Sequence, residues 1–194
     1  MSKRYSVATD LIKEMCRLAG INYSKKTFNN FKLCLETYSR VRKFIDILPS
    51  NIRKVSLSEL APEIFSAMIS PVELTAAAVR DSIIVMMKNG YLIPLMEASL
   101  EGVASFNPSG QVYYQIITRL YFSDDNPSNT DVEKELKYSH AIYYKKKEEA
   151  VMLFGVFFWS QVLKCWDGAY DEMLALERAN NRTISLAEGL KKYE

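Results

Sequence analysis

Between Phe28 and Leu48 the apolar residues Phe28, Phe31, Leu35, Tyr38, Val41, Ile45 and Leu48 follow one another at steps of three or four. Only a helix gathers such a series onto one face, because 100° per residue returns to the same side every three to four positions while a strand alternates every two. A stripe of that length has to be buried against other elements, and a helical stripe packs best on helices. Ser24 stands where a cap would open this helix, and Pro49 stands where it would have to end.

The rest of the chain repeats the pattern. Val7, Leu11, Ile12, Met15, Leu18 and Ala19 are helically spaced, with Ser6 as cap and Gly20 as stop. Ser56-x-x-Glu59 is a capping box for a short helix to Ile69, and Ser70-Pro71-Val72-Glu73 opens another. That second helix is expected to bury Val72, Ala76, Val79, Ile83 and Met86 or Met87 and to stop at Asn89-Gly90. Pro94 begins a short helix closed by Gly102. Gln111–Phe122 would also suit a strand by its Val, Ile and Tyr content, but no second strand exists to pair with it, so a helix is expected. Ser105–Gly110 and Ser123–Asn129 read as loops. Thr130-x-x-Glu133 caps a helical stretch reaching Asn180, broken near Lys147 and at Gly168, and Ser185-x-x-Glu188 opens a terminal helix.

With only 7 Gly and 6 Pro in 194 residues, the turns of an all-β sandwich are not available. The expected fold is all-α: one compact domain of seven to nine helices. An N-terminal lobe over 1–122 divides into a basic helical hairpin (1–55) and an acidic helical layer (56–122). An aromatic-rich C-terminal helical lobe covers 130–194.

Charge is sorted along this chain. Residues 1–55 hold twelve Lys or Arg against four acids, 56–136 hold eleven acids against four bases, and 137–147 add four lysines. The near-neutral total of +2 hides a basic end able to meet an anion, most often nucleic acid. Lys25, Lys32 and Lys43 fall within about 20° of one another on a helical wheel, with Arg40 beside them and Glu36 interrupting. The nucleic-acid-binding residues expected are Arg17, Lys25, Lys26, Lys32, Arg40, Lys43, Arg53 and Lys54. Tyr23 and Phe28 are candidate stacking platforms, and Lys145-Lys146-Lys147 extends the patch.

Glu14–Phe28 (EMCRLAGINYSKKTF) resembles the first helix and turn of a helix-turn-helix module: Cys16 is small, Gly20 follows four later, and Ile21 comes next. The resemblance implies a second helix from Ser24 with Lys25, Lys26 and Lys32 toward phosphates and Asn29 and Asn30 near base edges. A plain helical hairpin with a glycine cap accounts for the same residues.

Catalytic chemistry is hard to place. His140 is the only histidine and no motif flanks it; a partly buried structural role in mid-helix is expected. Cys16, Cys34 and Cys165 have no metal spacing and read as free buried thiols. No metal or cofactor is expected, since GxxxxGK[ST], GxGxxG and Glu-x-x-His pairs are missing. Asp124-Asp125-Asn126 reads as a turn rather than a calcium loop, and Asp167, Asp171 and Glu172 as a solvated face. The longest apolar run, Ala150–Leu163, is fourteen residues, against the roughly 20 that cross a bilayer. No membrane association and no secretory leader are expected, and the compartments that suit such a chain are cytoplasmic, nuclear or intravirion.

Phe154, Phe157, Phe158, Trp159 and Trp166 put large rings around one helix and are the expected oligomer or partner interface, with two-sided burial inside one chain as the other account of the same rings. A basic end and an acidic middle would pair between copies. The function expected is a non-enzymatic nucleic-acid-binding oligomer, a packaging subunit, nucleoprotein or helical regulator. The alternative is an all-helical adaptor or inhibitor that binds a protein partner through its charged and aromatic surfaces.

Overall fold

The computed structural model describes residues 7–44 and 75–164. Ser6, the helix opened by Ser56, the Ser70-Pro71-Val72-Glu73 start of the next one, the Gly168 break, the Ser185 helix, Arg53, Lys54, Cys165, Trp166 and the Asp167–Glu172 acids lie outside the described residues.

All regular structure among the described residues is helical. α1 (Val7–Leu18) ends at Gly20, whose φ of +70° is the left-handed turn a glycine adopts without strain. α2 (Lys25–Val41) is capped by the Ser24 hydroxyl, which accepts from the Thr27 amide at 3.3 Å. Its seam of Phe31, Leu35, Tyr38 and Val41 is buried, as the spacing predicts. The helix stops at Val41, well short of Pro49. Residues 42–44 form a turn, so Lys43 leaves the helical wheel that aligned it with Lys25 and Lys32.

α3 (Ala76–Lys88) buries Val79, Ile83, Met86 and Met87, opens on the Thr75 hydroxyl and stops at Asn89-Gly90; Ala76 is exposed. α4 (Leu92–Ser105) begins two residues before Pro94 and runs straight past Gly102. That glycine is a packing residue instead of a stop: a Cβ there would stand 2.6 Å from the Phe157 ring. α5 (Gly110–Ile117) continues into a π-helical turn, Thr118–Phe122, so the ambiguous segment is helical. α6 (Asn129–Glu135) is capped two residues earlier than its sequence suggests, by a reciprocal box between Ser128 and Asp131. The chain breaks at 136–139, where Lys137 takes a φ of +55°, and α7 then runs unbroken through Lys147 from residue 140 to 164.

α2 packs on α3 and on the π turn, α3 on α4, α4 on α5, and the π turn on α6. α7 passes through the middle. Gly155 admits the Phe31 ring of α2, and a Cβ at that position would overlap it. On the opposite side Glu149, 3% exposed, accepts hydrogen bonds from Thr9 of α1 and from Tyr113 of α5 (2.8 Å). One cluster of buried apolar residues extends from Ala8 to Val162 and crosses the Ser123–Ser128 loop. Among the described residues no single helix is long and apolar enough to cross a membrane. α3 and α4 reach that length and composition only as a pair bent by 101°.

Candidate functional site

The basic residues of the N-terminal tract separate into two groups. Arg17 is exposed but bound to Glu14 at 2.6 Å. Lys25 and Lys26 are exposed on the first turn of α2. Lys32 holds Glu36 at 3.3 Å, Arg40 is exposed one turn further on, and Lys43 donates to the carbonyl of Asp124 at 3.2 Å. Arg42, between them, pairs with the Asp124 carboxylate at 2.7 Å. The acidic middle of the sequence thus meets part of the basic end within one chain.

Arg40 and Lys43 stand on the edge of an open cleft of about 580 Å³. Glu36, Ser39 and Phe44 complete its α2 side, Leu120 and Tyr121 come from the π turn, and residues 126–129 form the loop side. The Tyr38–Phe122 ring pair, 5.1 Å between centroids, ties the π turn to α2. π turns recur at functional sites because the wider turn re-aims the side chains that follow.

The floor of the cleft is Lys147, 6% exposed. Its ammonium donates to the Asn129 side-chain oxygen at 2.7 Å, which also accepts from Tyr143 at 3.2 Å. No carboxylate of the described residues lies within ion-pair distance of it. Burial, and then the nearby positive charge of Lys32, push its pKa down to about 8, while Glu36 opposes the shift. Tyr121 is 4% exposed, and its hydroxyl is buried without a hydrogen-bond partner among the described residues. Burial raises its pKa, so the hydroxyl stays a neutral donor. A buried cation and an unpartnered buried hydroxyl on one cleft are both groups that a polar ligand would satisfy. With Arg40 and Lys43 at the mouth and Glu36 already engaged by Lys32, the chemistry suits an anion.

The sequence pointed to Arg40, Lys43 and Lys32 but not to Lys147, Tyr121 or Asn129 as members of one site. The Lys145–Lys147 tract was the only signal. Lys145 is exposed, and Lys146 lies 5.6 Å from the ring centroids of both Tyr113 and Tyr138. Among the helix-turn-helix expectations, Asn30 is buried at 1% exposure and is turned away from any base edge. Tyr23 and Phe28 are half-buried, Tyr23 beneath Lys13 at 5.6 Å.

Phe154, Phe158 and Trp159 are 2%, 1% and 7% exposed inside the chain's own core, and Phe157 packs on Gly102. Two-sided burial of α7 consumes these rings. His140 is exposed at the first position of α7, against the expected partly buried mid-helix place, and its Nδ1 lies 3.1 Å from Glu133. Cys16 and Cys34 are free and buried, their thiols pushed up to about 12. Asp124 and Asp125 are held by Arg42 and Arg119 in a turn. No group of three or more metal-ligating side chains occurs among the described residues. Comparison with protein-family models, with curated proteins and with solved structures finds no match.

Proposed function

We propose that this is a non-enzymatic nucleic-acid-binding protein that works as an oligomer, as a packaging subunit, nucleoprotein or helical regulator, and that it meets nucleic acid along the exposed basic side of α2. One observation carries the reading. Two basic tracts distant in sequence converge on a single cleft, Arg40 and Lys43 from one and Lys147 from the other. Lys25 lies about 22 Å along α2 from Arg40, so a phosphate backbone can follow the helix from its first turn to the cleft.

Binding to labelled single- and double-stranded DNA and RNA, followed by anisotropy between about 50 and 200 mM salt, tests it. Three to six phosphate contacts give a log–log salt slope of about −3 to −5. Charge reversal at Lys25, Lys32, Arg40 and Lys43 is expected to lower affinity at least about tenfold. Unchanged affinity in that variant would end the proposal.

A second observation favours the protein-interaction reading. Val7, Leu11 and Leu18 of α1 are 71%, 44% and 72% exposed and fall within about 40° of one another. An apolar stripe left exposed among the described residues fits another protein surface, including a second copy. Light scattering on Leu11→Ser/Leu18→Ser against the parent chain tests self-association. An unchanged mass would leave the stripe to a different partner.

A further inference from the structure

The cleft contains more than a basic surface needs. Exposed lysines suffice to hold a phosphate backbone, and Lys25 and Lys26 are of that kind. Lys147 is different. Its charge lines a recess, held by one amide oxygen and, at 6.0 Å, the face of the Tyr144 ring, in a place that disfavours the charge. Tyr121, whose buried neutral hydroxyl has no hydrogen-bond partner among the described residues, lines the same recess. A fully satisfied buried polar pair would be ordinary structure. An under-satisfied cation and an orphan donor on residues that line one recess make a half-built anion site.

The size and the walls narrow the ligand. About 580 Å³ is far more than a phosphate alone requires and falls in the range of small-molecule pockets. The remaining wall is apolar and includes Leu120, Pro127 and Phe44, the last 55% exposed at the rim where a flat ring can lie on it. The hydrogen-bonding groups beside these walls, Ser39 and Asn126, suit a sugar or a base edge.

We propose that this cleft is a nucleotide seat: Lys147 and Tyr121 hold one phosphate at its floor, Arg40 and Lys43 close over it, and Phe44 stacks on the attached base. The seat deepens the nucleic-acid reading and rests on it for the source of the nucleotide, a single strand with one nucleotide turned into the cleft. The same chemistry also accepts a free nucleoside monophosphate. A duplex keeps its bases stacked and cannot fill the seat without extruding one.

The test is titration calorimetry of the full chain with a nucleoside, its 5′-monophosphate and inorganic phosphate, run beside anisotropy with a labelled single-stranded oligonucleotide. The monophosphate is expected to bind and the nucleoside not to. Lys147→Met should abolish monophosphate binding and weaken the single strand about tenfold. Tyr121→Phe should weaken both about twentyfold, the size of one lost hydrogen bond to a charged group. Circular dichroism melts of both variants confirm that they fold. Lys25→Glu/Lys26→Glu should weaken the strand and leave the monophosphate untouched, which separates the α2 surface from the seat. Strand binding with no monophosphate binding, or monophosphate binding indifferent to Lys147→Met, overturns the seat and leaves the α2 reading standing. Monophosphate binding that depends on Lys147 without any strand binding upholds the seat for free nucleotides and removes the nucleic-acid reading.

Discussion

Lys147 and Glu149 are two residues apart on α7, both buried, and oppositely treated. Two positions turn a helix by about 200°, so Glu149 faces α1 and α5 while Lys147 faces α2 and the loop before α6. Glu149 receives hydroxyl donors from two different helices, one on each oxygen. Lys147 has one amide oxygen, the Tyr144 ring at 6.0 Å and an open recess. The carboxylate is thus a structural bolt, whereas the ammonium is a burden on folding. A protein keeps such a burden where something other than folding uses it.

The difference makes opposite stability effects two residues apart, and Glu149→Leu should give the largest. It leaves the Thr9 and Tyr113 hydroxyls buried without their acceptor, and a loss of about 3 kcal/mol is expected in urea unfolding. A loss below about 1 kcal/mol would mean the two sites are not distinct in kind. Next is Gly155→Ala, which forces a methyl group into the Phe31 ring and should lower stability by about 2 kcal/mol.

Lys147→Met is expected to be neutral or stabilising by about 1 kcal/mol at pH 7, since an apolar chain of similar length replaces a buried charge. The sign of the pH dependence sharpens this. Below pH 8 Lys147 is cationic in both the native and the unfolded chain, and the full penalty applies. From pH 8 up to the ordinary value of 10.5 the native group is neutral while the unfolded one still binds a proton. Stability contributed at this position therefore rises with pH across that window. The gap between parent and Lys147→Met should close as pH goes from 8 to 10.5, with Lys32 and Glu36 as the charged neighbours that set its position. A gap that widens would contradict the buried-cation assignment. Tyr121→Phe, which removes a buried unpartnered hydroxyl, should gain about 1 kcal/mol. Asp124→Ala breaks an ion pair whose acid is 92% exposed and should change stability by less than about 0.5 kcal/mol.

Much of the fold was legible because its signals are local. The α2 seam, the Ser24 cap, the Gly20 turn and the Asn89-Gly90 stop depend only on spacing and backbone preference. The missed features depend on what packs against what. Lys137 adopts a left-handed conformation that its residue type does not advertise, so the break fell before α7 and not at Lys147. Ser128 and Thr130 both offer caps, and Asp131 completed the earlier one. The rings of α7 read as an interface or as two-sided burial, because periodicity shows that two faces are apolar without showing whether one chain covers both.

The site was half legible for the same reason. Its exposed members follow from charge, but Lys145, Lys146 and Lys147 are three identical letters with three fates: solvent, aromatic faces and a buried recess. Only the phase of α7 against α2 distinguishes them. Tyr121 owes its place to the π turn, which no residue in TRLYF announces.

The contact between Gly155 and Phe31 sets more than packing density. Lys147 is about two turns from Gly155 on α7, and Glu36 and Arg40 lie beyond Phe31 on α2. The two helices that carry the cleft are therefore pinned together at one end of their contact, like the legs of a pair of dividers, and the gap at the far end follows from how closely they meet at the pin. Volume added at residue 155 would spread the tips. The mouth of the cleft is thereby gauged by an atom that glycine does not have, at a position no ligand touches.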